Sequence, residues 1–371
     1  MPKYLIGSGD FQRKAEYYCS MLYPILKSLL FKLPPETAHD LTLKLASLSP
    51  ALGKLTGISH SPRLALKIGS VSWPFPVGLA AGLDKNAEAL PFFEAQGFGA
   101  VECGTITLRP QDGNPKPRLH RYPTESSLRN SMGFPNQGLN LIWPRLRRFE
   151  HKSPVGANIG KNKESSREES LEELCLLFES LDSFTDYFVI NVSSPNTPGL
   201  RAFQEKTYLS ELFTRLNELN KFKRDIYLKI APDLDEEKVR ELCDIAQEFN
   251  LTGLIATNTT IMPERGAGGI SGKLLTERAR KIRHIILSHS SSIELIGVGG
   301  VSSFEDLLDF WFEGGKVMQI YTSYIFQGPQ ILHGFKQRIL EFLDFHKLST
   351  LEIFMDLPRA ERRELIKKFK S

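Results

Sequence analysis

From about residue 75 onward, short runs of β-branched and aliphatic residues alternate with longer stretches in which apolar positions recur every three to four residues. The short runs, bounded by turn formers, read as buried strands, and the longer period reads as helices with one buried face. Eight strands are predicted, over 75–81, 100–105, 155–159, 187–192, 226–230, 253–256, 293–298 and 316–321. Helices are predicted between them. The segment 163–181 places Leu171, Leu174, Phe178 and Leu181 on one face, and 236–249 does the same with Val239, Leu242, Ile245, Ala246 and Phe249. Eight successive βα units are what a closed barrel requires, so the expected fold class is α/β, a (β/α)8 TIM barrel. A doubly wound open sheet is the alternative that the pattern alone leaves.

The first seventy residues follow a different pattern. Tyr18, Leu22, Ile25, Leu26 and Leu29 form one helical stripe, and after Leu33-Pro34-Pro35 a second is formed by Ala38, Leu41, Leu45 and Leu48. This predicts a small N-terminal two-helix extension over 1–60, ahead of a barrel over 61–345 and a basic tail over 346–371. Residues 1–60 carry seven Lys or Arg against four Asp or Glu, a balance that suits an anionic lipid surface. A helix pair packed on the barrel fits the same stripes equally well. The end of the chain, 359–371, has six positive and two negative side chains and reads as a solvated helix or a frayed tail.

Composition narrows the function. With 41% hydrophobic and 24% charged residues and a formal charge of +4, the chain of 371 residues can bury a large core and lacks the basic density of a nucleic-acid binder. Cys19, Cys103, Cys175 and Cys243 are far apart, with no ligand spacing for zinc or an iron–sulfur cluster, so no metal is expected. Neither a membrane-spanning run nor a signal peptide is visible, and the N-terminus has no Arg-rich, acid-poor presequence. A reducing, cytoplasm-like compartment is expected, with a bacterial setting favoured over an organelle.

The chemistry gathers at strand ends. Ala81-Gly82-Leu83-Asp84-Lys85, Gly104-Thr105, Asn158-Ile159-Gly160-Lys161, Asn191 to Thr197, Lys229, Thr257 to Thr260, Gly297 to Gly300 and Tyr321-Thr322 all follow predicted strands. A barrel builds its active site at that carboxyl rim. Gly297-Val298-Gly299-Gly300 after the seventh strand and Tyr321-Thr322 after the eighth stand where barrels commonly cradle a phosphate, and in an oxidoreductase barrel that phosphate is most often FMN's. Lys85 and Lys229 supply cations for a carboxylate or a reduced ring. Asn130, Asn191, Asn196 and Asn258 are neutral donors and acceptors suited to a planar, polar heterocycle. Ser194 has neither a hydrolase nucleophile motif nor an adjacent Asp-His partner, which argues against acyl transfer.

Taken in order from about residue 16 to 340, A-G-L-D-K-N, G-N-P-K-P-R-L, N-S-M-G-F-P-N-Q-G, N-I-G-K-N-K, N-V-S-S-P-N-T-P-G-L-R, K-I-A-P-D-L, A-T-N-T-T, G-G-I-S-G and I-G-V-G-G-V-S resemble the dihydroorotate dehydrogenases. The closest resemblance is to their membrane-associated, quinone-reducing class. The resemblance implies oxidation of dihydroorotate to orotate for pyrimidine synthesis, with FMN accepting a hydride from C6 while a base removes a proton from C5. That class uses serine as the base, and the matching residue is Ser194; the cytosolic classes carry cysteine there. A proton relay helped by Phe134 and Thr197 is implied. So are a substrate site of Lys85, Asn130, Ser131, Met132, Gly133, Phe134, Asn191, Asn196, Asn258 and Thr259, and an FMN site of Ala81, Gly82, Leu83, Asp84, Lys85, Thr105, Asn158, Asn191, Lys229, Thr257, Gly272, Gly300, Tyr321 and Thr322.

The class's helix pair forms the mouth of a quinone tunnel, with His39, Arg121 and Tyr321 matching its polar inner end. This implies peripheral attachment to the cytoplasmic face of the bacterial inner membrane, a membrane quinone as partner, and no obligatory protein subunit. Two positions depart from the family: Ser131 stands where a large basic residue is usual, and His120 replaces the usual aromatic before Arg121. The rival readings are another FMN barrel, such as a dihydrouridine synthase or an NAD-coupled dihydroorotate dehydrogenase, and a membrane-binding barrel that has lost its chemistry. The first would show cysteine near Ser194; the second would keep every rim residue without using it.

Overall fold

The computed structural model describes residues 22–196 and 203–371. Eight parallel strands close into a barrel: β1 (Val77–Leu79), β2 (Val101–Ile106), β3 (Val155–Ile159), β4 (Tyr187–Asn191), β5 (Asp225–Ile230), β6 (Gly253–Ala256), β7 (Glu294–Val298) and β8 (Val317–Ile320). Each pairs with its sequence neighbours, and β8 pairs with β1 to complete the ring. All eight lie within a residue or two of the predicted runs, because strands buried on both faces must be continuously apolar. The open-sheet alternative is excluded by closure.

The outer helices start where side chains can take up their first free N–H groups. The helix Arg167–Leu181 begins four residues later than its apolar period predicts, because the Ser166 side chain caps the Glu169 N–H while Glu169 returns a bond to the Ser166 N–H. Asp235 caps Glu236–Glu248 by a single bond, its carboxylate accepting the Lys238 N–H at 2.8 Å. Below the barrel, a hairpin of Leu66–Ile68 and Val71–Trp73 is held to the start of β5 by the Ser70 N–H, which donates to the Asp225 carboxylate at 2.8 Å.

Above the barrel, four short strands form a second, antiparallel sheet in the order Thr260–Ile261, Gly269–Gly272, Ser127–Asn130, Leu119–Tyr122. These strands come from the loops after β2 and β6, so the sheet spans the mouth.

Among the described residues the N-terminal extension contains three helices where the sequence predicts two: α1, described over 22–30, α2 (Pro35–Leu48) and α3 (Pro50–Thr56). Tyr18 of the first stripe lies outside the described residues. On α2 the attached face is Ala38, Leu43 and Ala46, while Leu41, Leu45 and Leu48 of the predicted stripe point outward. Polar contacts tie the helices down. The Tyr23 hydroxyl donates to the Ile325 carbonyl at 2.6 Å, and Glu36 on α2 accepts from the guanidinium of buried Arg118 at 2.7 Å. Of the two expectations for 359–371, a helix is present and a frayed tail is not, and the helix is docked along one face rather than wholly solvated. Helices Leu351–Asp356 and Arg359–Lys370 pack on the barrel's outer layer, with Leu351, Phe354 and Ile366 buried and the Phe369 ring 5.2 Å from that of Phe342.

Candidate active site

The polar ends of β2, β3 and β4 bond to one another rather than to solvent. The Thr105 hydroxyl donates to Asn158 Oδ1 at 2.6 Å, and Asn191 Nδ2 donates to Thr105 Oγ1 at 2.9 Å and to Asn158 Oδ1 at 3.1 Å. Asn258, after β6, donates to Ser193 Oγ at 3.1 Å and to Asn191 Oδ1 at 3.3 Å. Fixed in this way, the amides keep one orientation without needing a ligand to set it. Beneath them Glu102, wholly buried in β2, accepts from Asn158 at 2.8 Å and from Gln319 at 2.6 Å, and lies 3.4 Å from the Lys229 ammonium.

Over this floor opens a cavity of about 390 Å3. Of the predicted residues, Lys85, Asn130, Met132, Gly133, Phe134, Asn191, Ser194, Asn196, Asn258 and Thr259 line it, as do Ala81, Gly82, Thr105, Lys229, Thr257, Gly272, Gly300, Tyr321, Thr322 and His39. The Asn196 side chain donates to Asn130 Oδ1 at 2.9 Å, so the segment after β4 is tied to the sheet that spans the mouth. Ser194 is buried, and its Oγ accepts the Asn196 backbone N–H at 3.2 Å, a local turn that holds the oxygen in place.

Several predicted residues lie outside the lining. Leu83 is packed in the core, and Asp84 serves as a structural carboxylate that accepts the N–H groups of Glu88 and Ala89 at 2.8 and 2.7 Å. Asn158 stands behind Thr105 as its acceptor. Ser131 turns its backbone away, donating to the Arg118 carbonyl and accepting from Asn114. Arg121 reaches the α1–α2 connection, donating to the Leu33 carbonyl at 2.9 Å with its guanidinium over the Phe31 ring. Thr197 lies outside the described residues.

Sequence reasoning missed Glu102, Ser193 and Gln319. Glu102 and Gln319 had a signal, as lone polar residues inside otherwise apolar strands, where only an inward, satisfied position is tolerable.

The electrostatics at the inner end are set by burial. Desolvation lowers the Lys85 ammonium to a pKa of about 8, with the nearby carboxylates of Asp40, Asp84 and Glu36 partly opposing it. His39 Nε2 is 3.4 Å from Lys85 Nζ, and burial, followed by the charge of Lys85, holds its imidazole well below its usual range. His39 is therefore neutral near pH 7.

The family model described as dihydroorotate dehydrogenase matches residues 63–343. The chain belongs to the dihydroorotate dehydrogenase family. Among curated members, the dihydroorotate dehydrogenase (quinone) of Nitratiruptor sp. is 40% identical over 87% of this chain and 95% of its own length. That of Thermus thermophilus is 39% identical over 87% and 97%. The crystal structure of the Eimeria tenella dihydroorotate dehydrogenase in complex with ferulenol superposes with a TM-score of 0.78 at 32% identity, covering 86% of this chain and 96% of that one. As a member of this dihydroorotate dehydrogenase family the chain is a flavin-linked oxidoreductase.

The cavity fits such a group. Thr257 Oγ1, Gln319 Oε1 and Ser323 Oγ are buried on its wall with no partner among the described residues, three polar atoms that a ring system bearing amide and hydroxyl groups would satisfy. Gly300, at φ +73°, lets the helix start at Thr276 pack closely behind this wall, since a Cβ there would come within 2.3 Å of Thr276 Oγ1.

Proposed function

We propose that this chain is a quinone-linked dihydroorotate dehydrogenase that holds one FMN and uses Ser194 as its catalytic base. The observation that carries the reading is the meeting, in one cavity, of a buried serine, a lysine ammonium and four asparagines whose amides are already oriented. FMN would be held by Thr105, Lys229, Thr257, Gly272, Gly300, Tyr321 and Thr322, and when bound it supplies the two-electron acceptor for C6 of dihydroorotate.

The chain's own residues do the rest. Lys85 meets the substrate carboxylate, and Asn130, Asn191, Asn196 and Asn258 read the ring's amide and imide edges. Ser194 takes the C5 proton. Phe134 carries no exchangeable proton, so its share in the relay is to exclude water from the hydroxyl, and Thr197 is the group that would pass the proton on.

Outside the barrel, Leu22, Ile25, Leu26, Leu29, Leu41, Leu45, Leu48, Leu52 and Leu55 leave α1 to α3 with an exposed apolar face, Leu48 at 71%. No helix among the described residues is long and apolar enough to cross a membrane. These helices are therefore read as lying on a bilayer, at the cytoplasmic face of a bacterial inner membrane, where a quinone reaches His39 and Tyr321 from the lipid. The test is anaerobic: dihydroorotate should bleach the bound flavin, and a quinone analogue should restore its colour. Protein that cannot be loaded with FMN, or whose flavin ignores dihydroorotate, sinks the reading.

A further inference from the structure

A second cavity, of about 880 Å3, adjoins the first at His39, Lys85, Met132 and Pro135, which line both. It is bounded by α2, the 86–91 segment and the helix Leu139–Arg148. Its character differs from that of the leucine face of the N-terminal helices. Six cationic side chains line it, Lys44, Lys85, Lys116, Arg118, Arg145 and Arg148, against the four carboxylates of Glu36, Asp40, Glu88 and Asp112.

Arg118 and Lys116 both pair with Glu36, at 2.7 and 3.2 Å, and Arg145 lies 3.7 Å from Glu88. Lys44 and Arg148, both exposed, have no ion-pair partner among the described residues. Asp40 and Asp112 are the lining carboxylates outside those pairs, so with six cations against four carboxylates the path from solvent keeps a net charge of +2, and it ends on the one ammonium shared with the active cavity. A cleft of this kind concentrates anions and raises their association rate, while an uncharged apolar ring gains nothing from it.

We propose that this second cavity is the aqueous port through which the carboxylate-bearing substrate and product travel between solvent and Lys85, separate from the apolar approach of the electron acceptor. The inference rests on the reading of the first cavity as a dihydroorotate site. A planar carboxylate entering this way meets Lys85 with its charged end, leaving its ring to pass on towards Asn130 and Asn191. His39 and Lys85 stand at the junction of the two routes.

The experiment compares flavin-loaded wild type with Lys44→Glu/Arg148→Glu and with a control, Lys32→Glu/Lys54→Glu, that makes the same change in net charge at exposed positions outside both cavities. Stopped-flow association of orotate, read from the flavin absorbance, should slow about tenfold in the first variant at low ionic strength, and the difference should shrink as salt screens it. The control should follow wild type. A second variant, Ser47→Trp, narrows the port; association and dissociation of orotate should slow together there, leaving affinity within about twofold. Association that ignores the charge reversal, with both rates untouched in Ser47→Trp, overturns the port while wild-type binding keeps the dihydroorotate reading intact. Wild-type enzyme that binds no orotate overturns both.

Discussion

At the mouth of the barrel Glu102, Asn158, Asn191, Ser193 and Lys229 are all buried, whereas on α2 and α3 Leu45, Leu48, Leu52 and Leu55 stand in the open. Ordinary burial runs the other way. In the barrel the polar groups are stable because each has a partner inside, through bonds such as Asn258 to Ser193 and Gln319 to Glu102. On the helices nothing in the described chain covers the leucines. The first region has met most of its needs internally, leaving Thr257 Oγ1, Gln319 Oε1 and Ser323 Oγ, and offers oriented groups to a ligand. The second has a need that nothing among the described residues meets, and we assign that role to a bilayer.

The contrast can be broken at several points. Ser194→Ala should keep FMN and orotate binding yet lower turnover by about 10² to 10⁴, the range of a positioned base, so near-normal rates of flavin reduction would remove Ser194 from that role. Glu102→Gln leaves the Lys229 ammonium buried without its carboxylate and should destabilise flavin-free protein by about 3 kcal/mol in denaturant titrations. Glu102→Gln/Lys229→Met should recover most of that loss; if it does not, the pair is not the cause. Leu45→Ser should weaken vesicle binding about tenfold, with the loss of one docked apolar side chain, and leave flavin reduction by dihydroorotate unchanged. An equal loss in both would favour helices that serve only to brace the barrel.

The smallest effect is in pH. The ammonium form of Lys85 binds the carboxylate, so kcat/KM for dihydroorotate should fall as pH rises through about 8, where the free enzyme loses that proton. Lys85→Arg should move the fall to higher pH, and a profile flat to pH 10 would take Lys85 out of the binding step.

Much of the barrel was legible because its signals are one-dimensional. A strand such as Leu254–Ala256 within β6 declares itself by a continuous apolar run, and a rim residue such as Asn191 by following one. The direction in which a stripe faces is not written in its period. Leu41, Leu45 and Leu48 mark α2 as amphipathic, yet only packing shows that Leu43 and Ala46 are the side that docks. The sheet over the mouth was illegible for another reason: its strands are two to four residues long and lie in loops rich in Gly, Asn and Ser, too short for a period to be read. Glu102 was overlooked because a lone charge in an apolar run looks like noise until the barrel closes around it.

That small sheet also fixes a length. The strand Ser127–Asn130 is paired on both edges, with Asn130 opposite Leu119 and Gly269, and Ser127 opposite Tyr122 and Gly272. Three residue steps of about 3.3 Å set roughly 10 Å between its ends. It therefore works as a calliper, with one jaw at the ring-reading Asn130 and the other at Gly272. Inserting a residue between them would turn Asn130 to the opposite face of the sheet, so in this stretch of the chain side chains can be exchanged but the count of residues cannot.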